Sequence, residues 1–519
     1  MATSKVLQVI KPNFTRILLP RFNAVSKLFY RHLTRKPPLT SVQYPNFKRG
    51  PYSEVNNEDL AAFRSILDPN RVVQDGDEIS AHNQDWMGDH RGASKLLLKP
   101  KTTREVSEIL AHCNSRKIAV VPQSGNTGLV AGSVPVFDEV ILSMSLMNQV
   151  ITLDEISGIL VCQAGCVLEK LDHFLSEKGF MMPLDLGAKG SCLIGGNVAT
   201  NAGGLRLLRY GSLHGNVLGL EVVLADGTVV DCLTSSRKDN TGYDIKHLFL
   251  GSEGTLGVVT AVSILTPYLP QSVNVALFGC RSYEDVQNVF RAAKRMLGEV
   301  LSAFEMMDHE CIKIVEEQFG LHNPIGENNF YVVVETSGAE MSHDEEKLTK
   351  FTEWLMGENL VQDGTIATDK QKIDNIWTLR ESITLGLMRQ GYTFKYDVSI
   401  PVPRLYEIVE TLRERIGDKV LNIVGYGHIG DGNLHLNIVT PEYDKEIHKQ
   451  LEPYVYEWVR DCSGSISAEH GIGLKKARYL HYSKSAESID VMKNIKKLFD
   501  PNGILNPYKV VPEIPEHCK

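Results

Sequence analysis

The 519-residue sequence predicts an α+β protein of more than one domain. Three observations carry this. Short β-rich runs and amphipathic helical segments are interleaved without strict strand–helix alternation, an Asp-Gly hairpin signal sits among them, and neither of the two glycine-rich loops at 122–133 and 195–206 has the spacing of a doubly wound nucleotide fold. A chain of this length can bury two or three cores. Apolar residues make up 43% and charged residues 23%, and no apolar run reaches the roughly 18 residues of a membrane helix.

The first acidic residue is Glu54, and ten Lys or Arg residues precede it. Ile10, Phe14, Ile17, Leu18, Phe22 and Val25 recur among them at near-helical spacing. Basic, acid-free and amphipathic is the composition of a mitochondrial transit peptide, assigned to residues 1–50. Without those ten charges the net of −8 becomes −18, which argues against nucleic acid as a partner. The nine cysteines are scattered with no CxxC pair, so neither a disulfide framework nor a cysteine zinc site is expected, and a reducing compartment fits.

Along the chain, 57–67 and 102–116 have helical spacing, 117–136 is a β-rich run opening into a glycine loop, and 139–165 reads as strands. Residues 167–179 form a helix ending in Gly, and 220–233 are two β-branched runs joined by Asp226-Gly227. From about 270 the pattern changes. Helices are expected at 284–297, 343–356, 372–391 and 402–417, with strands at 329–338 and 392–401. "IVGYGH" and "LHLNIV" then read as a hairpin closed by "IGDGN".

Two glycine loops, 122–133 and 195–206, match neither the Walker pattern nor G-x-G-x-x-G. Gly, Asn, Ser and Thr still let backbone N–H groups cradle a pyrophosphate. With "PLDLGAKGS" (183–191) and "LGSEGTLG" (250–257) they point to a large dinucleotide such as FAD.

In 372–391, Arg380 and Thr384 fall within an apolar stripe of Ile373, Ile376, Trp377 and Leu387. An arginine there is either paired with a carboxylate elsewhere or faces a cavity. With Lys395 on the next strand it could bind a carboxylate ligand. The hairpin would bring His428 and His435 across from each other, with Asn437 on the same face as His435. "SAEHGIG" adds Glu469 and His470. Two histidines and a carboxylate suit a catalytic Zn²⁺ with an open position. Spacing alone fits a hydrogen-bonded histidine pair equally well.

These segments carry a resemblance. "PQSGNTG", "PLDLGAKGSC", "GGNVATNAGGLR", "RYGSLHG", "DNTGYD", "GSEGTLG", "YGHIGDGNLHLN", "SAEHGIG" and "GILNPYK" together resemble the FAD-linked 2-hydroxy-acid dehydrogenases, from about Asp59 to Tyr508. The resemblance implies a vanillyl-alcohol-oxidase/PCMH-type FAD-binding domain over 51–269. It also implies an α+β substrate-binding domain over 270–440 and a small, largely helical C-terminal segment over 441–519 that completes the active site. It further implies that His428, His435 and Glu469 bind zinc, that Arg380, Thr384, Lys395 and Asn437 contact substrate, and that His470 is both catalytic base and a substrate contact.

The same resemblance assigns non-covalent FAD to three stretches. The first holds Gln123, Ser124, Gly125, Asn126, Thr127, Gly128, Gly132 and Ser133. The second holds Pro183, Leu186, Gly187, Ser191, Gly195, Gly196, Asn197, Thr200, Asn201, Gly203, Gly204 and Tyr210. The third holds Glu253, Gly254, Gly257, Val259 and, near the C-terminus, Asn506. No histidine occupies 121–133, so a covalent histidyl–flavin bond is not expected there. Ser124 stands where glycine is expected in close relatives. The implied reaction is D-2-hydroxyglutarate to 2-oxoglutarate by hydride transfer from C2 to flavin N5, with D-lactate and D-malate as alternative substrates. Electron-transfer flavoprotein is the implied acceptor and the mitochondrial matrix the implied site. Oligomeric state is left open, with a homodimer among the options.

Overall fold

A computed structural model of the chain describes residues 37–511. Most of the transit-peptide assignment, residues 1–36, lies outside the described residues. Residues 37–50 pack on the body: Thr40 is buried, its N–H donates to Arg91 O at 2.8 Å, and Tyr44 OH meets His90 Nε2 at 3.0 Å.

Three sheets organise the fold. The first contains β1 (Val72–Val73), β2 (Leu97–Leu98), β3 (Val120–Gln123) and β4 (Val140–Ser143) in the order β1-β2-β4-β3, with β4 parallel to β2 and β3. Helix Thr103–Arg116 makes the crossover from β2 to β3. Thr102 and Glu105 form its capping box, and Val106, Ile109, Leu110 and Cys113 are its buried stripe. The second sheet contains β5 (Val150–Asp154), β6 (Ile159–Gln163), β7 (Val217–Val223), β8 (Val229–Cys232) and β9 (Val258–Leu265), ordered β5-β6-β9-β7-β8. The Asp226-Gly227 turn closes the β7–β8 hairpin as expected.

The third sheet carries the chemistry. Its strands are β10 (Ser272–Cys280), β11 (Leu301–Asp308), β12 (Phe330–Gly338), β13 (Asp363–Ala367), β14 (Tyr392–Ser399), β15 (Asn422–His428) and β16 (Asn433–Thr440), ordered β13-β10-β12-β11-β15-β16-β14 and antiparallel throughout. Both faces are covered. On β14, Phe394, Tyr396 and Val398 enter one core, together with helices Tyr283–Met296 and Met341–Gly357. Period-two alternation then sends Lys395 and Asp397 to the other face. There Met307, Val424, Tyr426 and Val439 pack under helices His309–Phe319, Lys370–Glu381 and Ile383–Gln390.

Two expectations change. The segment 372–391 is not one helix but two, Lys370–Glu381 and Ile383–Gln390, broken at Ser382. Ser, Ile and Thr in "ESIT" are weaker helix formers, and one turn earlier the Thr378 hydroxyl donates to Asp374 O at 2.6 Å, a back-bond that bends helices. Residues 441–511 also build no separate core. Ile447, Leu451, Val455 and Val459 enter the core of the third sheet, while Ile504 and Leu505 enter that of the first. The C-terminal stretch therefore straps the two halves together. Among the described residues, no helix is long and apolar enough to cross a membrane.

Candidate active site

A cavity of about 1170 Å³ runs between the glycine loops, above the roughly 300–1,000 Å³ of ordinary ligand pockets. Among the assigned FAD residues, Ser124–Gly128, Gly132, Ser133, Leu186, Gly187, Ser191, Gly195–Asn197, Thr200, Glu253, Gly254, Gly257 and Val259 line it. A Cβ at Gly128 or Gly187 would meet nothing within 4 Å, so backbone is open to a ligand at both. Asn197 Oδ1 is buried on this wall without a hydrogen-bond partner. An open backbone cradle and an orphaned acceptor fit a long polar cofactor such as FAD.

Gln123, Pro183, Asn201, Gly203, Tyr210 and Asn506 do not line this cavity. The Gln123 amide donates to His82 O at 2.9 Å and Ser133 O at 2.8 Å, bracing the loop from behind. The Asn506 amide donates to Gly132 O at 2.9 Å and Glu253 O at 2.7 Å. The Glu253 carboxylate accepts the N–H groups of Ile472 and Gly473 at 2.7 and 2.8 Å, so it ties the C-terminal loop to the cavity wall.

Beside this cavity lies a second pocket of about 210 Å³. Arg380, Thr384, Lys395, His428, His435, Asn437, Glu469 and His470 all line it. Thr384, Lys395, Glu469 and His470 border both spaces. The hairpin register differs from a simple face-to-face pair. His435 sits opposite Tyr426 on β15 and Asp397 on β14, and His428 lies two residues further along. The short helical turn Ile429–Asp431 and Gly432 produce this offset. The rings still meet edge to face, with centroids 5.3 Å apart.

Ligand atoms of His428, His435 and Glu469 lie within 4.8 Å of one another. His428 Nδ1–H donates to Glu305 Oε1 at 2.6 Å, which leaves Nε2 facing Glu469 Oε1 at 3.5 Å. This is a histidine–carboxylate arrangement that orients an imidazole for a metal. Asp397, His435 and His470 form a second such trio. In that trio Asp397 Oδ2 accepts the N–H groups of Glu469 and His470, each at 2.9 Å, while its Oδ1 is buried without a hydrogen-bond partner; the Glu305 anchor on His428 is what singles out the first trio. Glu469 Oε1 accepts Gly204 N–H at 2.9 Å. Gly204 has φ +92°, and a Cβ there would lie 2.2 Å from Asp185 O. A Cβ on Gly203 would lie 3.1 Å from Glu469 Oε1. This glycine pair serves the approach to Glu469 rather than the large cavity.

Electrostatics separate the groups. Burial disfavours charge on both histidines, yet the Glu305 carboxylate pushes His428 up to about 9, while burial and the neighbouring His428 charge hold His435 well below its usual range. Burial also opposes charge on Asp397, but His470, Lys476 and His435 together keep it well below the carboxylate range. Burial, reinforced by Lys475, lowers Lys395 to about 8. Its Nζ contacts Met388 Sδ at 3.4 Å and lies 5.9 Å from the Trp86 ring centroid, and no carboxylate pairs with it among the described residues.

Arg380 is both paired and pocket-facing. Its Nε and Nη2 bond Glu305 Oε2 at 3.0 and 2.8 Å, and its guanidinium lies 4.7 Å from the Tyr426 ring centroid. Thr384 Oγ1 and Tyr426 OH are 2.8 Å apart. Glu305, Asp397 and Tyr426 are functional neighbours that sequence reasoning missed. For Asp397 a signal existed, since it lies two residues from Lys395 on one strand face.

Comparison with known proteins agrees with this geometry. Residues 94–233 match an FAD binding domain family, and residues 269–510 match the C-terminal domain of FAD linked oxidases. The chain is 57% identical to mitochondrial D-2-hydroxyglutarate dehydrogenase of Danio rerio, covering 93% of this chain and 90% of that one. The chain belongs to the mitochondrial D-2-hydroxyglutarate dehydrogenase family. Members of this family are FAD-linked enzymes. A putative mitochondrial D-lactate dehydrogenase of Schizosaccharomyces pombe is 50% identical over 92% of this chain and 94% of its own. p-Cresol methylhydroxylase superposes with a TM-score of 0.69 at 15% identity, covering 88% of this chain and 97% of that one, which shows the PCMH-type flavin fold.

Proposed function

We propose that the enzyme oxidises D-2-hydroxyglutarate to 2-oxoglutarate. The observation that carries this reading is the convergence of two cations, a three-residue candidate cation site and the Asp397-backed His470 on one pocket beside the large cavity. His428, His435 and Glu469 would hold a zinc ion, and the glycine loops would hold FAD without a covalent histidyl bond. When bound, FAD supplies the acceptor for the hydrogen and electron pair leaving C2, and zinc supplies a Lewis acid for the C2 hydroxyl.

The chain's own residues do the rest. Lys395, half-buried and without a carboxylate partner among the described residues, receives one substrate carboxylate. Arg380 offers the other its Nη1, since Nε and Nη2 are taken by Glu305. Thr384 and Asn437 hold the substrate's orientation between these cations and the cavity. His470, bordering both spaces, takes the hydroxyl proton. Asp397 fixes His470 through its backbone.

D-lactate oxidation is the second reading, supported by the Schizosaccharomyces pombe relative. A substrate panel with an artificial electron acceptor separates the two. kcat/KM is expected to fall in the order D-2-hydroxyglutarate, D-malate, D-lactate, and a clear win for D-lactate refutes the dicarboxylate reading. Chelation of the metal is expected to lower turnover with flavin retained. A matrix location is proposed on the mitochondrial naming of the relatives and the basic leader composition, and electron-transfer flavoprotein as acceptor on the family resemblance alone. Homodimer formation stays open to a sedimentation measurement.

A further inference from the structure

Glu305 is a buried carboxylate, 1% exposed, that lies in none of the glycine or histidine motifs. Backbone pairing of β11 with β15 sets it opposite His428. One oxygen accepts His428 Nδ1–H at 2.6 Å, and the other accepts Arg380 Nε–H at 3.0 Å and lies 2.8 Å from Nη2 in the same ion pair. The two partners come from different elements and have different tasks. His428 is a strand residue aimed at the cation site, whereas Arg380 is a helix residue aimed at the substrate pocket. Among the described residues, no other carboxylate bonds both a member of that trio and Arg380. Asp397, the other acid near the trio, accepts the backbone N–H groups of Glu469 and His470 through Oδ2, lies 3.7 Å from His435 Nδ1 through Oδ1, and makes no contact with Arg380 among the described residues.

We propose that Glu305 is a positioning residue that couples occupancy of the cation site to binding of the substrate carboxylate. This rests on the zinc and substrate assignments above. With an ion held at the trio, His428 would be fixed in place, and through it the Glu305 carboxylate plane. That plane sets the direction of the Arg380 fork, so Nη1 points at the ligand only when the chain of contacts is intact. Arg380 held by a bound carboxylate constrains the same chain from the other end. Coupling between two sites is reciprocal, so each ligand must tighten the other by one factor.

The test uses FAD-loaded enzyme, Zn²⁺ and glutarate, a five-carbon dicarboxylate with no C2 oxygen to reach the ion. Zinc affinity is measured by competition with a chelator, with and without glutarate. Glutarate affinity is measured with and without zinc. In the wild type each is expected to tighten the other by the same factor, on the order of tenfold. Glu305→Gln offers one acceptor and one donor and cannot serve both partners. Glu305→Asp keeps the charge but is one methylene too short to reach both. In each, zinc affinity should fall by roughly 10–100-fold, and the coupling factor should approach one. Coupling that persists in a variant retaining its flavin absorbance overturns the proposal. So does a wild type in which zinc and glutarate bind independently, a result that needs no variant to fold. A wild type that binds no zinc overturns the metal reading itself, and this proposal with it.

Discussion

Asp397 holds His470 from two directions: its Oδ2 accepts the His470 backbone N–H at 2.9 Å and lies 3.6 Å from the ring Nδ1. Neighbouring charges keep this buried acid ionised. Asp397→Asn keeps the shape but places an amide where two backbone N–H groups need an acceptor. kcat should fall roughly 10–100-fold while KM changes little, as for other residues that orient a reacting group. Steady-state kinetics across pH checks this, and an unchanged kcat would remove Asp397 from the positioning of His470.

His470 itself borders both spaces and, among the described residues, its side chain has no hydrogen bond to the cavity loops. His470→Ala should therefore keep the yellow colour of bound FAD. Turnover should drop by roughly 10²–10⁴-fold, the usual contribution of a positioned base. Substantial remaining turnover would refute the base role.

The histidine pair, Glu469-His470 and the misplaced Arg380 were legible because each breaks a local rule on a short segment. Glu305 was not. Its strand, "LSAFEMMD", is buried on both faces, so no period-two alternation marks it, and it meets His428 across 123 positions of sequence. Helix 372–391 looked continuous because its stripe stays near period 3.6 across Ser382, and periodicity does not register a local bend. The hairpin was readable, yet its register was not, because the short helical turn shifts pairing to Tyr426–His435. Glycine loops declared a cradle but could not separate residues facing a ligand from braces such as Gln123 and Asn506.

Lys395 titrates within reach of ordinary assays, since burial lowers it to about 8. Only the ammonium form attracts a carboxylate, so kcat/KM should fall as pH rises through about 8. Lys395→Met should be weaker everywhere and lose that alkaline limb. Lys395→Arg should move the limb upward, because a guanidinium stays charged. An alkaline limb identical in Lys395→Met and wild type would assign it to another group.

Arg380→Ala should raise KM strongly, but the Glu305 contact adds a second consequence. Removing one member of a buried pair costs up to about 3–5 kcal/mol, and here it leaves the Glu305 carboxylate with His428 as its remaining partner. Arg380→Ala should thus also lower the thermal midpoint, which a substrate contact alone would not do. The double variant Arg380→Ala with Glu305→Gln removes the stranded carboxylate charge. It should recover part of the lost stability while KM stays high. Thermal unfolding and kinetics on the two single variants and the double variant complete the cycle. Additive stability losses would show that the pair is not coupled, and an unchanged KM in Arg380→Ala would take the arginine out of the carboxylate clamp.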